Sequence, residues 1–201
     1  MRKRNKITRI IRNLFVDLRY GKFLGGVKKT KFASHGASDT ANSDYLALAY
    51  IFKGRIFSSE YVFVDVGCGK GRVLNYWLDN YSIHRLIGIE LDPEIASQTA
   101  KRLEKYKNVT IIEGDVINLL PKEPALFYMF NPFNCQVMNQ FKCALFNRFY
   151  DEKSGWQLPF EIIYYNPKCL DVFLDKNFSF IEIELPTGFH KCVIITQSST
   201  T

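Results

Sequence analysis

Strand-like and helix-like segments alternate after residue 60, and this order restricts the fold of the chain more than any single motif does. Short apolar runs that are typical of buried strands occur at 61–66, 86–90, 109–113, 125–130 and 160–165. Segments with helical periodicity follow most of them, at 71–78, 92–103, 137–149 and 170–176. Such an alternation predicts a parallel sheet with helices on both faces.

The last two predicted strands, 178–185 and 192–196, have no helical segment between them. Two strands that follow each other without a helix are expected to pair antiparallel, as a β-hairpin. The chain has 201 residues, of which 47% are hydrophobic, and this is enough for one domain with a sizeable core. We therefore expect an α/β protein with a mostly parallel, seven-stranded sheet that ends in an antiparallel hairpin.

Positive charge is concentrated at the N-terminus of the chain. Residues 1–35 contain eleven Lys and Arg against one acid, Asp17, whereas the remainder has 16 basic and 19 acidic residues. The body of the protein is therefore slightly acidic, and this makes nucleic acid an unlikely partner.

A basic amphipathic helix is predicted at 5–19, where large apolar residues recur at spacings of three and four: Ile7, Ile10, Ile11, Leu14, Phe15 and Leu18. Either this helix packs on its own domain with a solvated basic face, or residues 1–20 lie on an anionic membrane surface or on RNA. Residues 21–42 are predicted to be a mobile linker that can fold over a ligand. We thus divide the chain into an N-terminal extension, 1–42, and a domain, 43–201, whose first helix is capped by Ser43.

The five cysteines are widely spaced and include no Cys-x-x-Cys pair: Cys68, Cys135, Cys143, Cys169 and Cys192. Since the chain has only three His, neither a disulfide framework nor a zinc or other metal site is expected. The basic N-terminus lacks the apolar core of a secretory signal, and no apolar run approaches 18 residues. The expected location is the cytoplasm, where residues 1–20 could attach the protein peripherally to a membrane.

A glycine-rich segment, residues 65–72 with the sequence DVGCGKGR, lies between the first predicted strand and the next helix. Glycines allow the backbone to turn sharply and to approach a ligand closely. The dinucleotide fingerprint G-x-G-x-x-G/A would require Gly or Ala at the position of Arg72, so a nicotinamide dehydrogenase is disfavoured. The pattern is D-x-G-x-G-x-G instead, with the carboxylate of Asp65 two positions before Gly67.

Three acids stand at the ends of three consecutive predicted strands: Asp65, Glu90 and Asp115. We expect them to line one cleft, because parallel strands present their carboxyl ends at the same edge of a sheet. Asp65 beside the glycine turn favours a cationic ligand, Glu90 could bind both hydroxyls of a ribose, and Asp115 could accept a hydrogen bond from an exocyclic amine. The alternative is that each acid only caps the helix or turn after its strand, a role that Asp92 fits better than Glu90.

These motifs resemble the class I S-adenosylmethionine-dependent methyltransferase family. The resemblance covers residues 43 to 197 and is carried by VFVDVGCGKGR (62–72), IGIELDP (87–93), IIEGDV (111–116) and FYMFNPF (127–133). The terminal hairpin is also characteristic of that family. The resemblance implies a Rossmann-like, doubly wound sheet, a methyltransferase domain at 43–201, and S-adenosylmethionine as the cofactor.

The resemblance further implies which residues bind the cofactor. The methionine part would be surrounded by the glycine turn, namely Asp65, Gly67, Cys68, Gly69, Gly71 and Arg72. Glu90 with Leu91 would hold the ribose, and Asp115 with Val116 would meet the adenine. Arg72 is either a clamp on the methionine carboxylate or on Asp65, or a solvated side chain, whereas Cys68 is adequately explained as a small residue in a tight turn.

Asn131, Pro132 and Phe133 end the fourth predicted strand and resemble the Asn-Pro-Pro-Phe or Asn-Pro-Pro-Tyr signature of members that methylate an amide or amine. In those members the Asn oxygen and the following carbonyl orient the nitrogen, and the ring stacks on the acceptor. They are therefore the candidate catalytic residues, and Asn131 would also border the cofactor. This chain has a single proline before Phe133, so the alternative of a strand-ending turn, as at 166–167, stays open.

The sequence therefore predicts an S-adenosylmethionine-dependent methyltransferase that acts on a nitrogen, or less favourably an oxygen, of a protein side chain or a small molecule. Two alternatives remain open: a non-catalytic module that binds S-adenosylmethionine, and an NAD-type dinucleotide-binding oxidoreductase. His35 and His190 could act as bases, but both are expected to be surface histidines.

Overall fold

The computed structural model describes residues 2–27, 29–38, 42–151 and 153–198, with side chains from residue 7 onward. Its helices are α1 (Arg2–Arg19), α2 (Tyr45–Ile51), α3 (Arg72–Asn80), α4 (Pro93–Leu103) and α5 (Cys135–Phe149). Its strands are β1 (Val62–Val66), β2 (Leu86–Glu90), β3 (Val109–Glu113), β4 (Ala125–Phe130), β5 (Tyr150–Asp151), β6 (Gly155–Trp156), β7 (Phe160–Tyr165), β8 (Phe178–Ile183) and β9 (Cys192–Gln197). Residues 28 and 39–41 of the predicted linker, and the side chains of 1–6, lie outside the described residues.

Seven of these strands form one sheet in the order β3-β2-β1-β4-β7-β9-β8. The first five are parallel, while β9 runs antiparallel to both β7 and β8. The prediction of a mostly parallel, seven-stranded sheet with a terminal antiparallel hairpin is confirmed. The strand order reverses between β1 and β4, and in open α/β sheets this is the point where ligands bind.

Apolar side chains cover both faces of the sheet, because alternate residues of a strand point to opposite sides. In β1, Val62, Val64 and Val66 belong to the core under α5, whereas Phe63 packs with Trp77 of α3 on the other face. Asp65 shares the Phe63 face by the same alternation, so a carboxylate is placed beside an aromatic core at the carboxyl end of the central strand.

Three local details differ from the sequence predictions. The cap of α2 is Asp44, whose Oδ1 accepts the Leu46 amide at 2.8 Å, while the Ser43 hydroxyl contacts the Tyr128 hydroxyl at 2.7 Å. The predicted helix at 170–176 is a 3-10 turn, Leu170–Phe173, and the short β5-β6 ribbon was not predicted. These differences arise in segments of two to seven residues, where tertiary contacts override local propensity.

Cys135 and Cys169 form a disulfide, which the cysteine spacing did not predict. The two cysteines are 34 residues apart in sequence, but their Cα atoms are 5.2 Å apart. Each follows the Asn-Pro turn at the end of one of two adjacent parallel strands, β4 or β7. The sheet topology brings them together, and cysteine spacing alone contains no such information.

Helix α1 packs on the domain through polar side chains. The Asp17 carboxylate is completely buried and accepts hydrogen bonds from Nε and Nη2 of Arg72 at 3.1 and 2.6 Å, from the Tyr45 hydroxyl at 2.9 Å and from the Leu24 amide at 3.0 Å. Tyr20 at the end of the helix donates to Asp79 at 2.6 Å. These contacts join the N-terminal extension to α2 and α3.

No helix in the described part of the chain has both the length and the apolar content that are needed to cross a bilayer.

Candidate active site

A cleft lies at the carboxyl ends of β1, β2, β3 and β4, with about 960 Å³ of empty space including the part that is open to solvent. Its walls include six residues that the sequence predicted for cofactor or acceptor: Glu90, Leu91, Asp115, Val116, Pro132 and Phe133. A smaller adjoining cavity is bordered by Asp65, Cys68 and Arg72, and Gly67 borders both spaces. The structure thus places most of the predicted residues around these two neighbouring cavities.

The glycine turn connects β1 to α3 and lies between the two cavities. Gly67, Gly69 and Gly71 have φ values of +68°, +52° and +75°, a left-handed region that favours glycine. The Gly67 amide donates to the Ile89 carbonyl at 2.9 Å, so the turn is bound to the end of β2. A Cβ on Gly67 would lie 3.3 Å from Cβ of Pro132, hence the turn and the end of β4 approach each other closely.

Asp65 lies beneath this turn with an unpaired oxygen. It is 4% exposed, and its Oδ2 has no hydrogen-bond partner among the described residues. Burial raises the pKa of the Asp65 carboxyl well above its usual range, and the nearby charge of Glu90 raises it further. A buried carboxylate oxygen without a partner is costly, and a cationic ligand group in the adjoining cavity would remove that cost.

Glu90 ends β2 and is held in one orientation by backbone amides. Its Oε2 accepts from Gly69 at 2.8 Å, and its Oε1 accepts from Asp92 at 2.9 Å. Burial raises the pKa of Glu90, although these two amide hydrogen bonds partly lower it. Each oxygen can still accept a further hydrogen bond from the cleft, as a diol would require.

Asp115 and Asp92 both cap the turn or helix that follows them. Asp115 Oδ1 accepts from the Ile117 amide at 3.0 Å, and Asp92 Oδ1 accepts from the Glu94 amide at 2.9 Å. The capping interpretation therefore describes Asp115 as well as Asp92, while both residues also line the cleft. Asp92 Oδ2 is buried without a partner among the described residues. Asp92 is therefore a further candidate binding residue, for which the sequence predicted only a capping role.

Arg72 has a different partner from either of those expected. It is 6% exposed and therefore not solvated, and its guanidinium pairs with Asp17 rather than with Asp65. Its Nη1 also donates to the Ser43 carbonyl at 3.3 Å. The Cys68 side chain is buried under the turn, and burial raises the pKa of its thiol, which fits a packing role better than a nucleophilic one.

Asn131 adopts a left-handed backbone conformation, with φ of +44°, and so does Asn166 at the end of the adjacent strand, with φ of +55°. Asn tolerates this conformation better than most residues, hence both Asn-Pro pairs act as strand-ending turns. Asn131 is not among the described residues that line the cleft, and its Oδ1 accepts from the Tyr164 hydroxyl at 3.4 Å. Phe133 is 8% exposed and packs against Phe141.

Residues 30–38 cover this acceptor-side motif. The Ser38 amide donates to the Pro132 carbonyl at 2.8 Å, the Asn134 amide donates to the Gly36 carbonyl at 2.8 Å, and Ala37 pairs with Phe133 in an isolated β-bridge. His35 of this segment is exposed, as expected from the sequence, and it also lines the cleft. Residues 30–38 of the predicted linker thus lie against the segment that follows β4, at the edge of the cleft.

Residues 63–150 match the family model described as "Methyltransferase domain". No curated protein sequence matches the chain significantly.

Several solved structures are similar in fold. A methyltransferase from Pyrococcus furiosus aligns with a TM-score of 0.60 and 14% identity over 96% of this chain and 98% of its own. An RNA methyltransferase from Salinibacter ruber, solved with S-adenosyl-L-homocysteine, aligns at 0.58 and 14% over 80% and 96% of the two chains. A precorrin-6y C5,15-methyltransferase from Geobacter metallireducens aligns at 0.56 and 14% over 79% and 90%. These matches favour neither the dinucleotide-dependent oxidoreductase nor the non-catalytic module.

Proposed function

We propose that this chain, of which residues 63–150 match a methyltransferase domain, is a class I S-adenosylmethionine-dependent methyltransferase that transfers a methyl group to a nitrogen, or less favourably an oxygen, of a small molecule or a protein side chain. The observation that carries the proposal is the pair of buried carboxylates, Asp65 and Glu90, on either side of a glycine turn at the strand ends. The cofactor brings a methyl group that its positive sulfur already activates. The chain's own residues have to bind the cofactor, orient its methyl group toward the acceptor and exclude water from both.

The described residues fit this cofactor at both of its ends. Asp65 has one buried, unpaired oxygen and would pair with the amino group of the methionine part. Glu90 would accept hydrogen bonds from the two ribose hydroxyls, because its carboxylate is already held by the Gly69 and Asp92 amides. Asp115 and Val116 would border the adenine at the end of β3. Arg72 would act indirectly by fixing α1 and the start of α3, since its guanidinium is taken by Asp17.

The acceptor would bind where residues 30–38 meet Pro132 and Phe133. One lone pair of the Pro132 carbonyl is used by the Ser38 amide, so the second lone pair is available to an acceptor amine. The Asn131 oxygen, which accepts from the Tyr164 hydroxyl, would have to turn toward the cleft to meet the same amine. For a hydroxyl acceptor, His35 would supply an imidazole in the cleft wall that can take the proton. The cover formed by 30–38 favours a small molecule or a single extended side chain.

We expect binding of S-adenosylmethionine to release a proton from Asp65. In the free protein, burial raises the pKa of Asp65 and so favours its protonated form, whereas a bound cation favours the charged form and lowers that pKa. The complex thus holds fewer protons than the free protein, so affinity should rise with pH until Asp65 of the free protein is itself ionised. Calorimetric titration in two buffers of different ionisation enthalpy measures this proton release directly.

Asp65→Asn is the matched variant for this titration, because it keeps the shape of the side chain and cannot titrate. This variant should bind S-adenosylmethionine more weakly, and its binding should no longer release a proton. An unchanged proton release in the variant would contradict the role of Asp65, and the absence of any binding by the native chain would contradict the proposed function. Titration with NADH, which should give no heat, tests the dinucleotide alternative.

We expect Asn131→Ala to reduce methyl transfer about 100-fold while cofactor affinity changes little, because a misplaced acceptor slows transfer without affecting the cofactor site. Transfer of radiolabelled methyl groups into cell-lysate fractions provides the assay. Asn166→Ala is the control, since Asn166 has the same backbone conformation and the same following proline. Both variants should lose about 1 kcal/mol of stability. Equal loss of transfer in both variants would show that Asn131 is only a turn residue.

A further inference from the structure

Helix α1 exposes its apolar face to solvent. The described apolar side chains Ile7, Ile10, Ile11, Phe15 and Leu18 are 47% to 71% exposed, and Phe15 is the most exposed of them. Side chains of this kind normally pack into a core, as the sequence periodicity suggests. None of the five belongs to either of the two hydrophobic clusters that form the core of the described residues.

The opposite face of α1 holds the helix on the domain. Arg9 pairs with Asp44 at 2.9 Å, Asn13 donates to the same carboxylate at 3.2 Å, and Asp17 and Tyr20 bind Arg72 and Asp79. These four residues follow one another at spacings of four, four and three, and so form one stripe along the helix. The orientation of α1 is therefore fixed by polar contacts, and the apolar stripe is presented outward as a result.

The charge of α1 is almost entirely positive. Its sequence contains one acid, Asp17, which is buried against Arg72, and seven basic residues: Arg2, Lys3, Arg4, Lys6, Arg9, Arg12 and Arg19. Two of the cations, Arg9 and Arg19, are paired with acids of the domain. The helix thus combines an outward stripe of large apolar side chains with a net positive charge.

We propose that the outward face of α1 binds the surface of an anionic lipid bilayer, with the helix lying in the plane of the interface. Apolar side chains enter the acyl boundary while cations contact lipid phosphates, which is the pattern of interfacial helices. A second copy of the chain is a less favourable partner for this face, because a two-fold dimer through α1 would bring two sets of cations together. Nucleic acid would use the cations but would leave the apolar side chains without a partner.

The test is co-sedimentation of the full chain with vesicles that contain phosphatidylglycerol and with vesicles of phosphatidylcholine alone. The native protein should bind only the first, and about 1 M salt should release most of it. Ile11→Ser/Phe15→Ser should weaken this binding by about 30-fold or more, since two apolar side chains no longer enter the lipid. Because Ile11 and Phe15 are 47% and 71% exposed and lie outside the core clusters, the thermal midpoint of the variant should stay close to that of the native chain.

Ile83→Ser is the matched control, because Ile83 is 78% exposed and lies outside α1. It should bind vesicles like the native chain. The proposal is overturned if the native protein ignores anionic vesicles, if it binds phosphatidylcholine equally well, or if both variants lose binding alike. It is also overturned if size-exclusion chromatography shows a dimer that Ile11→Ser/Phe15→Ser dissociates, or if a short RNA competes the protein off the vesicles.

Discussion

Glu90→Gln should weaken the binding of S-adenosylmethionine and S-adenosylhomocysteine at least about 100-fold. Glu90 is 7% exposed, so hydrogen bonds between its carboxylate and two ribose hydroxyls would be formed out of water. Each charge-assisted bond contributes about 1.5–3 kcal/mol, and glutamine would replace one charged acceptor oxygen by an NH₂ donor. Isothermal titration calorimetry with both nucleosides measures the loss.

Glu113→Gln is the control for this substitution. Glu113 pairs with Glu90 in the register of β2 and β3 and ends at the same edge of the sheet, but its side chain is exposed and does not line the cleft. We expect less than a threefold change in affinity for this variant. If Glu90→Gln remains folded by circular dichroism and binds both nucleosides as tightly as the native chain, the assignment of Glu90 to the ribose is wrong.

The fold could be predicted from the sequence because the local signals agree with the tertiary structure. Strands β4 and β7 have the predicted bounds, since a proline precedes each apolar run, at 124 and 159, and an Asn-Pro turn ends it. The cap of α4 by Asp92 was also predicted, and its side chain accepts the amides of the first helical turn. Signals of this kind act over a few residues and can be read along the chain.

The contacts that could not be predicted join residues far apart in sequence. The Cys135–Cys169 disulfide and the hydrogen bond between Ser38 and Pro132 depend on which strand ends are neighbours. Periodicity showed that α1 is amphipathic, but it cannot show which face packs on the domain. The polar face packs on the domain because Asp17 accepts four hydrogen bonds there, and the four donors come together only in the folded chain.

The ion pair between Asp17 and Arg72 anchors α1 to the domain. We therefore expect Asp17→Asn to lower the free energy of unfolding by about 3–5 kcal/mol. The substitution leaves the buried guanidinium of Arg72 without a charged partner in a site where water cannot replace it. In a chain of this size such a loss lowers the thermal midpoint by roughly 6–20 °C. Thermal and urea unfolding, followed by circular dichroism, measure the change.

Two variants separate this effect from a simple loss of charge. Glu182→Gln removes an acid from an exposed pair with Lys191, 3.7 Å apart, and should change the stability by less than about 1 kcal/mol. Asp17→Asn/Arg72→Met removes the unpaired cation as well, while the asparagine oxygen still accepts from Leu24 or Tyr45, so the double variant should be more stable than Asp17→Asn alone. If the single variants at Asp17 and Glu182 are equally mild, or if the double variant is the least stable of the three, the pair does not anchor α1.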